Sequence, residues 1–122
     1  MAKILLIDDD LNVLKITASY LKKEGHEITT ALNGKAGIRL LESSQFDLVI
    51  TDIIMPEKDG YEVLMWLRKQ LNRPKIIAVT GGTAYITTDS ILMTSKLFSA
   101  DKVLSKPFDF ETFALTVREV FQ

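Results

Sequence analysis

The chain has 122 residues, 47% hydrophobic and 25% charged, with no cysteine and a formal net charge of −1. This is the length and mix of one globular domain spanning residues 1–122, able to bury a core without staples. The charge leaves no basic footprint for nucleic acid and no polybasic stripe for a membrane, and the missing cysteines exclude disulfides, thiolate metal sites and a Cys nucleophile. The opening MAKILLIDDD has too short an apolar run for a signal peptide, and no stretch approaches a membrane span. The expected location is cytoplasmic, with no direct nucleic-acid or membrane partner.

Short apolar runs alternate with longer runs of helical period. Ile4 to Ile7 is continuous and bounded by acids, which predicts a strand buried on both faces. Leu11, Leu14, Ala18 and Leu21 then recur at helical spacing, with Asp10 as cap and Gly25 as stop. Glu27 to Ala31 predicts a second, more polar strand at an edge. Asn33 and Gly34 open a weak helix to about Ser43, in which Gly37 should cost about 1 kcal/mol relative to alanine. Leu48 to Thr51 predicts a third buried strand, ending at Asp52. After a turn at Pro56 to Gly60, Val63, Leu64, Leu67 and Leu71 mark a third helix, broken at Pro74. Ile76 to Val79 predicts a fourth strand ending at Thr80. Gly81 to Thr88 reads as loop, and Asp89 caps a fourth helix carrying Ile91, Leu92 and Leu97. Val103 and Leu104 predict a short fifth strand closed by Lys106 and Pro107. Asp109 caps the last helix, whose stripe is Phe110, Phe113, Ala114, Val117, Val120 and Phe121.

The order is (βα)₅, which implies an α/β doubly wound, flavodoxin-like parallel sheet of five strands in the order 2-1-3-4-5. Ligands of such sheets sit beyond the carboxyl ends of the strands, where the winding reverses. Those ends carry Asp8 and Asp9, Asp52, Thr80 and Lys106. Two carboxylates ~5 Å apart repel by about 3 kcal/mol at an effective dielectric of about 20. Lys106 offsets part of that charge, and a hard divalent cation would offset the rest. An oxygen-only donor set selects Mg²⁺, Mn²⁺ or Ca²⁺ over zinc, and Mg²⁺ suits phosphoryl chemistry. A carboxylate can attack phosphorus, and the charge that spreads over the equatorial oxygens needs positioned countercharge.

The acidic pair in LLIDDD, the segment TDIIMPEKDG, the threonine ending IIAVT and the Lys-Pro of LSKPF, in this order and spacing, resemble the receiver domain of two-component response regulators. So does ALNGKAGIRLLESSQFDLVITD, and the resemblance covers essentially the whole chain. It implies that Asp52 is phosphorylated by a histidine kinase or phosphotransfer protein. It also implies that Asp9, Asp52 and the backbone carbonyl of Ile54 bind Mg²⁺, with Asp8 acting mainly through a metal-bound water. Thr80 and Lys106 would hold the phosphoryl group, and the Lys106–Pro107 bond would be cis. The product would be a conformational switch, read by a partner or a homodimer through the fourth helix, fifth strand and last helix. The family usually has an aromatic residue three positions before the lysine; here it is Val103, and the stretch from Thr80 to Lys106 looks long. The signal is therefore expected to pass through rearrangement of Gly81 to Phe98.

Two rival functions share these residues. One is an aspartyl-phosphate phosphatase or phosphotransferase of the haloacid dehalogenase type, in which Asp8 and Asp10 match the required spacing but no room remains for a cap domain. The other is a pseudo-receiver that only binds partners, against which the intact acid set argues. Several conspicuous residues have plainer readings. Asp10 is a cap, His26 an exposed turn residue, Trp66 a partly exposed packing residue, and Leu115 a single exposed apolar side chain of the ordinary kind. The sequence is compatible with a stand-alone receiver or with part of a longer protein.

Overall fold

The computed structural model describes residues 1–53, 59–80 and 100–122, with the backbone alone at 59–61. The expectations for Ile54, the Pro56 turn, Gly81 and Gly82 and the helix after Asp89 lie outside the described residues. The described elements are β1 (Lys3–Ile7), α1 (Leu11–Lys23), β2 (Glu27–Ala31), α2 (Gly34–Ser43), β3 (Leu48–Asp52), α3 (Asp59–Arg68), β4 (Lys75–Thr80), β5 (Lys102–Ser105) and the last helix, here α4 (Phe110–Val120).

All five strands pair in parallel in the order β2-β1-β3-β4-β5, as expected. Strand residues alternate between two cores. Ile4, Leu6, Ile50 and Val79 face one core with α1 and α4. Leu5, Ile7, Val49 and Ala78 face the other with α2 and α3. The apolar runs are continuous because both faces are covered. β2 is the exception: it pairs with β1 alone, and of its residues only Ala31 is buried.

The helix ends follow from local chemistry. Asp10 accepts hydrogen bonds from the Asn12 and Val13 N–H groups at 2.9 and 3.3 Å and so caps α1. Gly25, at φ 92°, closes α1 in the left-handed conformation. There the Gly25 N–H donates to the Lys22 carbonyl and the His26 N–H to Leu21, a Schellman closure. Asn33 caps α2 and Asp109 caps α4. The Thr112 N–H, 2.7 Å from the Asp109 carboxylate, helps hold that group below the usual aspartate range.

Four expectations are corrected. The α3 stripe stops short of Leu71, which is fully exposed. The Lys69 and Gln70 N–H groups bond back to Trp66 and Leu67, tightening and closing the helix before Pro74. Leu11, in the first turn of α1, is half exposed rather than buried with Leu14 and Leu21. On α4 the buried line is Phe113, Thr116, Val117 and Val120, whereas Phe110 and Phe121 are half exposed. Phe110 instead stacks on Tyr20 of α1 with ring centroids 5.5 Å apart. His26 is half buried, and its Nδ1 accepts the Ala2 N–H at 3.1 Å, fastening the chain ahead of β1.

Gly37 has a packing reason for its place inside α2. A Cβ built there would lie 3.0 Å from Ile7 Cγ1 and closer still to Cδ1. The helix rests directly on β1 because that side chain is missing. Gly37→Ala is therefore expected to lower stability by about 1–3 kcal/mol, despite alanine's better helix propensity. Shortening the neighbour in Ile7→Val/Gly37→Ala should recover part of that loss. Urea melts of wild type and the two variants check this, and a neutral or stabilising Gly37→Ala would contradict the close approach.

Candidate functional site

The winding reverses between β1 and β3, and the polar residues gather there. Asp8 and Asp9 follow β1, Asp52 ends β3, Thr80 ends β4 and Lys106 follows β5. The parallel register aligns these ends. Ile7 pairs with Thr51, Asp52 with Val79, and Thr80 with Ser105. Apolar strand bodies buried on both faces thus deliver all five groups to one rim.

Asp8, Asp9 and Asp52 each offer a carboxylate oxygen within 4.8 Å of the others. Asp8 and Asp52 are buried and Asp9 is exposed. One ammonium joins the two buried acids: Lys106 Nζ lies 2.9 Å from Asp8 Oδ2 and 2.9 Å from Asp52 Oδ2. Burial alone would push the Lys106 ammonium towards deprotonation. The hydrogen bonds and charges of Asp8 and Asp52 outweigh it, so its pKa stands above the usual lysine value. Asp8 is held from the other side as well, its Oδ1 accepting the Asp10 N–H at 2.9 Å. The backbone before Lys106 is fixed to β4, because the Lys106 N–H donates to the Thr80 carbonyl at 2.7 Å. The Lys106–Pro107 peptide bond is cis.

Among the described residues, three carboxylates against one ammonium leave an excess of negative charge at this rim. At 4.8 Å each unscreened acid pair costs about 3 kcal/mol at an effective dielectric of about 20. The donors that converge are all hard oxygens, and two of them are buried. This set fits a small divalent cation and offers nothing to a thiophilic one.

Every sequence-predicted site residue among those described therefore reaches the rim. Asp10 does not take part. Its carboxylate caps α1, which removes the acid–base role that the dehalogenase-like rival would give it. Ser105 was not anticipated. Its hydroxyl lies 3.3 Å from Thr80 Oγ1, and the available signal was its position opposite Thr80 once the strands are set in parallel register. Asp47 and Asp101 were also missed. At the opposite rim they accept the N–H groups of Lys3 and Ile76, each at 2.8 Å, and so serve the sheet rather than the site.

A doubly wound parallel sheet with its acids collected at the reversal point is a flavodoxin-like fold whose candidate site lies where such sheets hold their ligands. The family model for the response regulator receiver domain matches residues 4–118, and the chain belongs to that family. It is 30% identical to the response regulator SaeR of Staphylococcus aureus over 120 residues, which cover 98% of this chain and 50% of that protein. The chain thus spans about half the length of the curated relatives it matches. Among solved structures it is similar to the response regulator TrrA of Thermotoga maritima, crystallised in complex with Mg²⁺ and BeF. That match has 35% identity and a TM-score of 0.82, covering 98% of this chain and 99% of that one. It is likewise similar to the chemotaxis response regulator CheY4 of Vibrio cholerae, with 28% identity, a TM-score of 0.86 and 98% of each chain covered. These matches support phosphoacceptor signalling and do not favour the rival functions.

The charge balance has opposite consequences for the lysine and for an acid. In EDTA, Lys106→Met is expected to lose about 2 kcal/mol of stability, since it removes the counter-ion shared by two buried carboxylates. With Mg²⁺ the same variant should gain more in thermal midpoint than wild type does. Asp9→Ala should do the reverse, holding or raising the metal-free midpoint and losing most of the Mg²⁺ gain. Thermal melts in EDTA and in Mg²⁺ check both. An Asp9→Ala variant with the full wild-type Mg²⁺ gain would contradict a shared cation site.

Proposed function

We propose that Asp52 is the phosphoacceptor of this receiver domain. Asp8, Asp9 and Asp52, with the Ile54 carbonyl, would hold Mg²⁺, and Thr80 and Lys106 would take the phosphoryl oxygens. The observation that carries this reading is the shared ammonium, 2.9 Å from both Asp8 and Asp52. It supports the reading by placing a positive charge beside the buried Asp52 at the end of β3. Mg²⁺, when bound, would supply countercharge to the carboxylates and to the incoming phosphoryl oxygens.

The chain's own residues account for the rest. An Asp52 carboxylate oxygen bonds to phosphorus as the donor's P–N bond breaks, and the departing histidine nitrogen of a histidine kinase or phosphotransfer protein keeps the electron pair. With a small donor such as acetyl phosphate, a P–O bond breaks instead. Lys106 passes from the Asp52 oxygen to a phosphoryl oxygen while remaining on Asp8, so its charge follows the charge that moves. Thr80 donates its hydroxyl proton to another phosphoryl oxygen. The chemistry is confined to phosphorylation of Asp52 and its loss, and the output is conformational. A homodimer or partner would read the predicted fourth helix together with β5 and α4, in the cytoplasm.

Incubation with acetyl phosphate and Mg²⁺, followed by intact mass measurement, tests the assignment. One phosphoryl group is expected on wild type and none on Asp52→Asn, and EDTA should abolish the reaction. Equal modification of Asp52→Asn, or full reaction in EDTA, would overturn it.

A further inference from the structure

Thr80 and Ser105 stand opposite each other in the register of β4 and β5, one step beyond Ala78 and Val103 on the same sheet face. The Thr80 hydroxyl lies 3.3 Å from the Leu104 carbonyl oxygen and 3.3 Å from Ser105 Oγ. It has one proton for these two acceptors. Both distances are longer than the about 2.7–2.8 Å usual for O–H···O bonds, so each contact is weak and the two compete. Thr80 is 3% exposed, whereas Ser105 is open to solvent. Ser105 can therefore give its own proton to water while its oxygen accepts from Thr80. Val103 is β-branched and stiff at χ1, so it is poorly suited to following Thr80 by rotation.

We propose that Ser105 is a positioning residue for Thr80. In the resting state its oxygen helps keep the Thr80 proton on the β5 side, in competition with the phosphoryl oxygen that would take that proton after Asp52 reacts. The inference rests on the reading that Thr80 serves the phosphoryl group. It adds a latch that sets how readily Thr80 is released. Because the latch is a weak neutral hydrogen bond, its removal should favour the phosphorylated geometry.

The test uses the full chain as wild type, Ser105→Ala and Ser105→Thr. The Thr80 methyl signal and χ1 coupling are followed by NMR, and beryllofluoride is titrated in saturating Mg²⁺. A wild-type Thr80 that ignores beryllofluoride would overturn the role of Thr80 itself, whatever the variants do. With that response present, Ser105→Ala is expected to shift the ligand-free Thr80 χ1 population. It should also tighten beryllofluoride binding about two- to fivefold, the scale of one weak neutral hydrogen bond. Ser105→Thr, which restores the hydroxyl, should return both readouts to wild type. Unchanged or weaker binding in Ser105→Ala overturns the latch. So does tighter binding without a χ1 shift, or tighter binding that Ser105→Thr fails to reverse, since bulk or β-propensity would then be responsible.

Discussion

The ammonium of Lys106, held between Asp8 and Asp52 at 2.9 Å from each, is the contact on which the rim depends. It joins residues 98 and 54 positions apart in sequence, and thereby ties the ends of β1, β3 and β5 together. It is the counter-ion that these two buried carboxylates share. The pair is partly buried, so its attraction is less screened than that of a surface ion pair, and losing one partner strands the other. Among the described residues the compensation is nevertheless incomplete, because Asp9 adds a third carboxylate within 4.8 Å. A rim left short of positive charge is suited to accepting a cation and a reaction that moves negative charge.

The rest of the fold holds this imbalance in place. Parallel strands buried on both faces have a rigid register, and each of the two cores closes one side of the sheet. Gly37 lets α2 lie against Ile7, the residue immediately before the acidic pair. Asp10 ends the same loop by capping α1, while its own N–H holds Asp8. Asp8 is therefore held by backbone chemistry before any ligand arrives. Thr80, by contrast, is held by two long and competing contacts. Within one rim, the Asp8 carboxylate is pinned and the Thr80 hydroxyl is lightly held.

Much of this was legible in the sequence. Runs such as Ile4 to Ile7 and Leu48 to Thr51 predict doubly covered strands, and the residue after each run falls at the rim by construction. Once the order (βα)₅ is set, the meeting of Asp8, Asp52 and Lys106 follows from topology. The misjudged helix stripes share one cause. Periodicity reports a repeating pattern but not where its packing partner ends. Leu71, Phe110 and Phe121 continue their stripes into solvent for that reason, and Leu11 begins one there. His26, Asp47, Asp101 and Ser105 act through contacts across the sheet or its edges, which local pattern does not carry. Ser105 needs the β4–β5 register itself.

In the proposed reaction Lys106 moves its charge from Asp52 to the phosphoryl group while staying on Asp8. A crystal structure of the complex with Mg²⁺ and beryllofluoride tests it most directly. The account predicts Lys106 Nζ within hydrogen-bond distance of a fluorine atom and still on Asp8, with its 2.9 Å contact to Asp52 Oδ2 broken. Beryllofluoride bound on Asp52 with Lys106 still on Asp52 Oδ2 and no contact to fluorine would contradict it.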